Sequence, residues 1–535
     1  MKNTAALAAA TAALGAGALY AYIKKDPSEK KKLLYDTADS AIHTAIRTIA
    51  RAVPDKDAIF KEEYIPENFF EGTADFITAP KKGAKWHLGY AREVLTPDDW
   101  DKKDYYVAGF LKVPPNVVSG VIDDICVRTV CVNDSSGRGT AAFCVIDCIG
   151  IANTDVRRIR ARLMKFAKEN NIVSINVSAT HCHSGVDTQG LWGNLLPDAL
   201  KTNFKKKLKN ENEGFISGRD AAFMENLYIK TAKSVRDAFA EMKAGKLYAT
   251  VTDEKEYSHD KRPPFVVEKD MTVLRFVPDD KSSRETVAVM MAAHPTGVGY
   301  SNTKISGDYP YYIVDELNRN NCDGIFFQGP QLAVAVSRDP MIDDELASTD
   351  EEGYQKYGRG VARFALSLRG GDREKEVTPI LNISHREVLV KAENELFLLI
   401  GFLGLVSNKI IRSGRGKLDR SFVTEIGYAH IGSDLRLALI PGELAPEIAY
   451  GGAFSAEESY CGSEWAVPAL QSVVKDGAKL TVIGLCNDAI GYMMPANDYG
   501  SVIAPLHYEE AISAGPHAGE TIARAFIKLV KETVA

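Results

Sequence analysis

Short runs of apolar and β-branched residues alternate with helix-like stretches from about residue 84 to the end of the chain. The runs are as short as fully buried strands, and the stretches between them place apolar residues at helical spacing. We predict strands at 126–132, 140–147, 172–178, 286–293, 323–327, 435–440 and 479–485. We predict helices at 154–170, 219–243, 309–320, 352–369 and 518–534. This alternation predicts an α/β fold, with a mixed β-sheet core flanked by helices in a single large domain over residues 84–535.

The composition argues against several classes of protein. The 535 residues include 65 Lys and Arg against 71 Asp and Glu, so the formal net charge of −6 argues against a nucleic-acid partner. Hydrophobic residues make up 45% of the chain, far more than in a disordered protein. The eight cysteines are too sparse for a disulfide scaffold and contain no Cys-x-x-Cys pair. We interpret most of them as small buried core residues.

The N-terminal segment 5–23 carries no charged residue. As a helix it would extend about 28 Å, close to the thickness of the hydrocarbon core of a bilayer. Basic residues follow directly, beginning at Lys24 and Lys25, and a basic flank disfavours export. We therefore predict a single N-terminal membrane anchor within residues 1–25 and a membrane-associated protein. The alternatives are a signal peptide cleaved near Ala16-Gly17-Ala18, which gives a secreted protein, and an alanine-rich soluble helix.

Residues 26–83 are predicted to connect this segment to the main domain. Apolar residues recur at helical spacing over 33–53. This pattern indicates an amphipathic helix that either forms a stalk or interfacial helix or packs on the main domain. Residues 54–83 are interpreted as a linker. Further along, the apolar run 396–406 is too short to span a membrane, and it predicts a core helix or, alternatively, a lipid-contacting lip beside a binding cleft.

Side chains able to bind a metal follow four of the predicted strands. They are His181 and His183 in Thr180-His181-Cys182-His183-Ser184-Gly185, then His294, Glu443 and the segment Asn487–Tyr492. Ligands bind at the carboxyl ends of strands in α/β sheets, and imidazole and carboxylate groups are common zinc ligands. Two alternatives stay open: His181 and His183 could bind one metal with His294 or Tyr492 too far away, or a single residue such as Glu443 could only cap a helix.

The order of these motifs resembles that of the neutral/alkaline (non-lysosomal) ceramidase family. That family has Thr-His-x-His-Ser-Gly after a strand, as at 180–185, and a later zinc-binding His followed by Ser-Gly-Asp, as at His294 and Ser306-Gly307-Asp308. Its further motifs match Gly442-Glu443, Asn487–Tyr492, Tyr508-Glu509-Glu510-Ala511 and Gly515-Pro516-His517. The opening 88–133 is also similar, so the resemblance covers about residues 84–535.

The resemblance implies one zinc ion per chain, held by His181, His294, Glu443 and Tyr492. It implies three catalytic residues: His183 as a proton shuttle, Arg262 to orient the bound group, and Tyr508 to hydrogen-bond near the scissile carbonyl. The implied activity is that of a zinc-dependent amidohydrolase, which cleaves the N-acyl amide bond of ceramide or a related lipid amide by attack of zinc-bound water. A lipid or small-molecule amide is therefore the expected partner. The tyrosine ligand could also leave the metal and hydrogen-bond the oxyanion.

One loop of the family has no counterpart in this chain. The family carries Asn-x-Gly-Asp-x-Ser-Pro, whose Ser has been assigned as a catalytic residue, whereas residues 327–336 contain neither Ser nor Asp. A mechanism that needs that Ser is therefore not transferred. The difference leaves two alternative functions, a zinc hydrolase of a different amide or ester and a non-enzymatic descendant that binds lipid or a partner at the old cleft.

Overall fold

The computed structural model describes residues 32–55, 58–193, 200–209, 211, 214–253, 257–267, 270–336, 352–474, 477–504 and 507–534. Two β-sheets pack face to face at the centre of the protein, and helices cover both outer faces. The predicted mixed α/β fold in a single domain is confirmed, with two sheets rather than one continuous sheet forming the core.

The larger sheet has nine strands within the described residues, and its pairing is mixed. In spatial order it contains β11 (Cys322–Gln328), β9 (Glu285–Met291), β8 (Asp270–Pro278), β6 (Lys243–Asp253), β1 (Trp86–Val94), β3 (Cys126–Asn133), β4 (Thr140–Ile146) and β5 (Ile172–Ala179), with β13 (Lys375–Glu376) added to β6. The β11–β9 and β4–β5 pairs are parallel, and the other pairs are antiparallel.

The smaller sheet and three short strand pairs complete the β structure of the described residues. The smaller sheet has the order β14 (Leu381–Lys391), β16 (Arg420–Ile431), β17 (Leu435–Leu439) and β19 (Lys479–Ile483), with β15 (Ile410–Arg412) paired to β16. The short pairs are β2 (Gly120–Val121) with β10 (Lys304–Ile305), β7 (Ser258–Asp260) with β12 (Val334–Val336), and β18 (Glu443–Leu444) with β20 (Tyr492–Met493).

Ten α-helices surround the sheets in the described part of the chain. They are α1 (Lys32–Ala52), α2 (Asn153–Ala161), α3 (Met164–Glu169), α4 (Leu200–Leu208), α5 (Ala221–Ala240), α6 (Asp308–Arg319), α7 (Gly353–Ser367), α8 (Glu395–Phe402), α9 (Pro446–Tyr450) and α10 (Ala518–Val534). The predicted helix 154–170 is interrupted by a turn at residues 162–163, so it forms both α2 and α3. The other predicted helices and all the predicted strands occur within one to three residues of their expected positions.

Side-chain alternation along the strands builds the core in layers. On β3, Val130 and Val132 point between the two sheets, whereas Val127 and Cys131 point towards α2, α3 and α5. Helices α6 and α7 cover the rest of that outer face, and α8 and α10 cover the smaller sheet. The seven predicted strands are almost entirely buried, which explains why they appear in the sequence as continuous apolar runs.

The predicted membrane anchor, residues 1–25, lies outside the described residues, and its association with a membrane stays a prediction. Among the helices that the structure does describe, none has both the length and the apolar character needed to cross a bilayer.

Helix α1 packs against the main body. Ala50 of α1 and Val53, just beyond it, contact a small apolar cluster that includes Leu399 of α8. At the other end of the helix, Tyr35 contacts Ile503. Of the two arrangements left open for this segment, the structure supports the packed helix.

An ionic contact also joins α1 to α8. Glu395, at the start of α8, accepts a hydrogen bond of 2.9 Å from Arg47 Nε and lies 2.7 Å from His43 Nδ1. Burial alone would raise the pKa of Glu395, but its hydrogen bonds to His43 and Arg47 lower it to about 2. The carboxylate is therefore charged at neutral pH, and it fixes α1 on the helix beside which the functional site lies.

The His43 imidazole is expected to titrate far above its ordinary range. Hydrogen bonds to Asp39 and Glu395 raise the pKa of His43 from 6.5 to about 9, against the opposing effect of burial. Because the folded-state pKa is raised, the stabilising contribution is complete below pH 6.5 and is lost as the pH rises through about 9. An NMR titration should give a midpoint near 9, lowered by Glu395→Gln. A midpoint near 6.5 in the wild type would contradict this contact.

Candidate metal centre

Four chain segments bring polar side chains to one place in the fold. His181 follows β5 and His294 follows β9, both from the larger sheet. Glu443 opens β18, after β17 of the smaller sheet, and Tyr492 opens β20, after β19. The strands β18 and β20 pair with Glu443 opposite Tyr492. The structure therefore brings together the strand exits that the sequence analysis selected.

The Glu443 carboxylate lies between two imidazoles. Its Oε2 is 3.0 Å from His294 Nε2 and 3.2 Å from His181 Nε2, and all three side chains are buried. Burial alone would raise the pKa of Glu443, but the two histidines hold it well below its usual range. The group is therefore a carboxylate at neutral pH.

Backbone carbonyls fix the orientation of both rings. His181 Nδ1 lies 2.7 Å from the Ile149 carbonyl oxygen, and His294 Nδ1 lies 2.8 Å from the Val334 carbonyl oxygen. A carbonyl oxygen only accepts hydrogen bonds, so each Nδ1 carries a hydrogen and each Nε2 faces Glu443. Metal-binding histidines usually have this second hydrogen bond. The arrangement would present both Nε2 atoms to a cation bound beside the carboxylate.

The donor atoms lie close enough together to share one metal ion. Bonds of about 2.0–2.2 Å to nitrogen or oxygen place tetrahedral neighbours roughly 3.3–3.6 Å apart, slightly more than the two Nε2–Oε2 separations of 3.0 and 3.2 Å. The candidate ligand atoms of His181, His183 and His294 all lie within 4.8 Å of one another. This buried donor set could therefore hold a metal ion.

His183 belongs to the same cluster. Its ring centroid is 4.8 Å from that of His181 and 5.8 Å from that of His294. Its Nδ1 faces the backbone of Gly109, and its Nε2 has no hydrogen-bond partner among the described residues. Burial and the neighbouring imidazoles hold the pKa of His183 well below its usual value, so the ring is neutral. His294 therefore lies within reach of the His181–His183 pair, and which of these side chains bind the metal stays a prediction.

Gly109 is required for the close approach to His183. Its φ of +106° is one that glycine adopts without strain, and a Cβ there would lie 2.5 Å from the His183 ring. The chain at Gly109 therefore closes one side of the histidine cluster.

A cavity of about 500 Å³ adjoins the cluster. Polar side chains and aromatic rings line it beside the histidines, including four that the sequence analysis did not select: Gln189, Trp192, Lys261 and Asn408. Lys261 directly precedes Arg262, which the resemblance had selected, so a signal for it existed. The other three come from loops whose sequence carries no recognisable pattern.

Two tyrosines complete the border of the cavity. Their ring centroids are 6.3 Å apart, with Tyr492 buried and Tyr508 exposed. Burial and the Glu443 charge raise the pKa of Tyr492 well above its ordinary value. Burial of the hydroxyl end and the Glu509 charge also raise the pKa of Tyr508. Both hydroxyls therefore keep their hydrogens and can donate hydrogen bonds.

Arg262 is not among the residues that line the cavity. Its guanidinium donates hydrogen bonds of 2.9–3.2 Å to the carboxylates of Asp498, Glu509 and Glu510. Burial alone would lower the pKa of Arg262, but these carboxylates raise it, so the charge is retained. The contacts anchor the turn that directly follows Tyr508. A role for Arg262 in orienting a bound group stays a prediction.

The segment 327–336, which the sequence analysis compared with a Ser-containing loop, supplies backbone to the centre. Val334, in β12, provides the carbonyl that holds His294 Nδ1, and its neighbours Ala333 and Ala335 line the cavity. This part of the chain contributes a carbonyl and apolar surface rather than a nucleophile.

The Ser-Gly-Asp motif fastens the loop that follows His294. Asp308 Oδ2 accepts a hydrogen bond of 3.0 Å from Val298 N, and Ser306 and Gly307 both donate to Asp123 at 2.7 Å. The motif therefore positions the chain around His294 without entering the cavity.

Several residues of these loops have a strained backbone. Positive φ angles of 49° to 66°, which non-glycine residues rarely adopt, occur at His181, Asp308, Ala333, Leu485 and Asn487. Asn487 also exchanges hydrogen bonds with Val177 of β5, so it joins the two sheets rather than facing the histidines. Such strain is typical of functional sites.

The fold is similar to that of two solved ceramidase structures. Neutral ceramidase from Pseudomonas aeruginosa gives a TM-score of 0.60 at 15% identity, covering 84% of this chain and 74% of that chain. A ceramidase complexed with C2 gives a TM-score of 0.58 at 14% identity, covering 84% and 75%. No protein-family model matches the sequence, and no curated protein matches it. The predicted resemblance is confirmed for the fold, which is what identities this low can show.

Proposed function

We propose that the chain is a zinc-dependent hydrolase of the N-acyl amide bond of ceramide or a related lipid amide. The observation that carries the proposal is the charged Glu443 carboxylate held between His181 Nε2 and His294 Nε2. The fold shared with neutral ceramidase supports the reaction class. The cavity beside the histidines shares lining residues with a second, largely apolar cavity. This apolar space next to the candidate metal centre supports a lipid substrate.

His181, His294, Glu443 and Tyr492 would hold the zinc ion. Zinc lowers the pKa of a bound water molecule to about 7 and polarises a substrate carbonyl. The Ile149 and Val334 carbonyls keep both imidazoles in the tautomer that presents Nε2 to the metal.

The other side chains handle protons and developing charge. The unpartnered His183 Nε2 can accept the proton that the attacking water loses and, because its lowered pKa disfavours the charged ring, pass it directly to the leaving amine. The Tyr492 and Tyr508 hydroxyls can donate to the carbonyl oxygen as it gains negative charge. Attack by water needs no serine, which agrees with the composition of residues 327–336.

Tyr492→Phe is expected to reduce kcat by about 10²–10³-fold, the usual effect of removing one hydrogen-bond donor to an oxyanion. Zinc content should stay close to that of the wild type, because two imidazoles and a carboxylate remain. Elemental analysis and steady-state kinetics on the same sample measure both quantities. Tyr248→Phe, at a tyrosine of β6 that lies outside the cavity, is the control and should change neither. Equal loss of zinc and turnover in Tyr492→Phe would make Tyr492 a ligand only.

A substrate panel tests the lipid amide. The full chain would be offered a fluorescent N-acyl sphingosine, an N-acyl ethanolamine and a carboxylic ester, all with the same acyl chain. We expect the highest kcat/KM for N-acyl sphingosine. Faster cleavage of another member would support the alternative zinc hydrolase, which the altered 327–336 segment favours. A zinc-loaded protein that cleaves none of them would support the lipid-binding or partner-binding alternative.

A further inference from the structure

A second cavity, of about 520 Å³, lies next to the one beside the histidines. The two share six lining residues: Leu111, Leu191, Trp192, Tyr300, Phe397 and Ile512. Its other walls include Leu396 and Leu399 of α8 and Leu200 of α4. The second cavity is therefore an apolar extension of the site.

Exposed apolar side chains surround this extension. Val113 is 83% exposed and Leu111 62% exposed, on the loop 110–115, and Tyr300 and Leu396 are also exposed. All four line the second cavity, so they form one contiguous rim, which we call the apolar lip. Large exposed apolar groups gathered in one place on a protein surface mark an interaction site. Leu396 belongs to the 396–406 run, for which both a core helix and a lipid-contacting lip were considered.

Helix α4 adds a concentrated positive charge beside the apolar lip. Residues 200–209 contain five lysines and no acidic residue, although the whole chain has a net charge of −6. Lys201, Lys205 and Lys209 recur at every fourth position and are exposed, so they share one face. Leu200 and Phe204 lie one position before Lys201 and Lys205, so they form the neighbouring face of the helix. Leu200 lines the second cavity, and Phe204 packs near Leu399. The basic face therefore flanks the apolar lip directly.

We propose that the apolar lip and the basic face of α4 together form a docking surface for an anionic lipid bilayer. Apolar side chains that enter the acyl boundary, flanked by lysines that attract anionic headgroups, are the combination that interfacial binding requires. An acidic protein partner would be attracted by the lysines but would not need a fully exposed Val113 beside an open apolar cavity. The charge complementarity and the continuity with the cavity both favour the bilayer.

The docking surface also provides a route by which the substrate could enter the site. Only this part of the inference rests on the proposed function. A lipid amide that leaves the bilayer at the apolar lip enters the second cavity without crossing water, and its amide bond then reaches the histidines through the shared wall. The acidic residue of α8 next to the lip, Glu395, is already paired with Arg47 and His43, so its charge does not oppose anionic headgroups.

A fluorescent probe on the apolar lip tests bilayer contact. In the full chain with Cys461→Ser, which removes the exposed cysteine among the described residues, Val113→Cys would carry an environment-sensitive dye. We expect its emission to shift to the blue and strengthen with phosphatidylserine-containing vesicles, and much less with phosphatidylcholine vesicles. The dye at Ile65→Cys, which is 76% exposed away from both cavities, is the control and should not respond. Equal responses at both positions, or none at Val113, would overturn the proposal.

Charge variants test the basic face. The triple variant Lys201→Gln, Lys205→Gln and Lys209→Gln should need about tenfold more anionic lipid for the same emission change at position 113. Lys165→Gln with Lys168→Gln, on α3, is the matched control and should behave as the wild type. An unchanged lipid requirement in the triple variant would overturn the role of α4. The predicted N-terminal anchor is present in every variant, so it cannot cause a difference between them.

Turnover separates this inference from the proposed function. Cleavage of a dispersed, short-chain N-acyl amide should be the same in the wild type and in the triple lysine variant, whereas cleavage of the amide in anionic vesicles should fall in the variant. If the wild type cleaves no amide, the proposed function fails while the emission result still decides the docking surface. A response of the Val113 dye to a soluble polyanion as large as its response to vesicles would indicate an acidic macromolecular partner and contradict the bilayer.

Discussion

His294→Ala is expected to remove bound zinc and amide cleavage together. His294 Nε2 lies 3.0 Å from Glu443 Oε2, and it is one of the two imidazole nitrogens that face this carboxylate. The charge stabilisation that a catalytic metal supplies is worth several kcal/mol, so turnover should fall by about 10³-fold or more. Elemental analysis for zinc and turnover of a fluorescent N-acyl sphingosine, on one sample, measure the two losses.

A second buried histidine provides the control for this variant. His385, in β14, is also buried, but it hydrogen-bonds Ser174 and lines neither cavity. His385→Gln should therefore keep its zinc and most of its turnover. Zinc retained at the wild-type level in His294→Ala, or turnover that survives zinc loss, would show that His294 is not part of a catalytic metal site.

Glu425→Gln is expected to cause a large loss of stability. Glu425 of β16 is 0% exposed and accepts two hydrogen bonds, of 2.6 and 2.9 Å, from the guanidinium of Arg160, whose side chain is 1% exposed. Arg160 also donates to the Ile175 carbonyl of β5. The contact thus ties α2 and the larger sheet to the smaller sheet. Its removal leaves a buried guanidinium without a counter-charge, which costs about 3–5 kcal/mol.

Urea denaturation at neutral pH would measure this effect as a lower midpoint at constant slope. The control is Glu387→Gln, since Glu387 is more exposed and contacts Arg157, a second partner of Glu425; we expect a loss of about 1 kcal/mol there. A loss for Glu425→Gln no larger than that of Glu387→Gln would contradict the argument.

The Glu425 effect should also depend on pH. Burial alone would raise the pKa of Glu425, but Arg160 and Arg157 lower it from 4.5 to about 2. Because the folded-state pKa is lowered, the contribution is complete above pH 4.5 and is lost as the pH falls through about 2. The difference between wild type and Glu425→Gln should therefore shrink on acidification.

Local patterns were sufficient to predict seven strands and the residues at their ends. These strands, β3, β4, β5, β9, β11, β17 and β19, are almost entirely buried, so their apolar runs stand out without knowledge of their partners. The strands β1, β6, β14 and β16 were not predicted, because polar residues interrupt their apolar runs. The side chains of His181, His294 and Glu443 follow such runs directly, and that is why they could be selected from the sequence. The division into two packed sheets could not be predicted, because apolar runs carry no information on which strands pair.

The hydrogen bonds that orient the histidines of the candidate metal centre come from groups that cannot be recognised in the local sequence. The carbonyls of Ile149 and Val334 hold the two imidazoles, and any residue type could supply a carbonyl. The guanidinium of Arg262 was expected to face the bound group, but its hydrogen bonds are to carboxylates more than 230 residues away in the sequence. Long-range pairing of this kind depends on the finished fold.

Metal content and turnover, measured together on the full chain, test the central claim most directly. Protein purified without chelator would be analysed for zinc by elemental analysis and then given a fluorescent N-acyl sphingosine. The account predicts about one zinc ion per chain and amide cleavage that disappears on chelation and returns with added zinc. A folded sample that contains no zinc and gains no cleavage when zinc is added would contradict it.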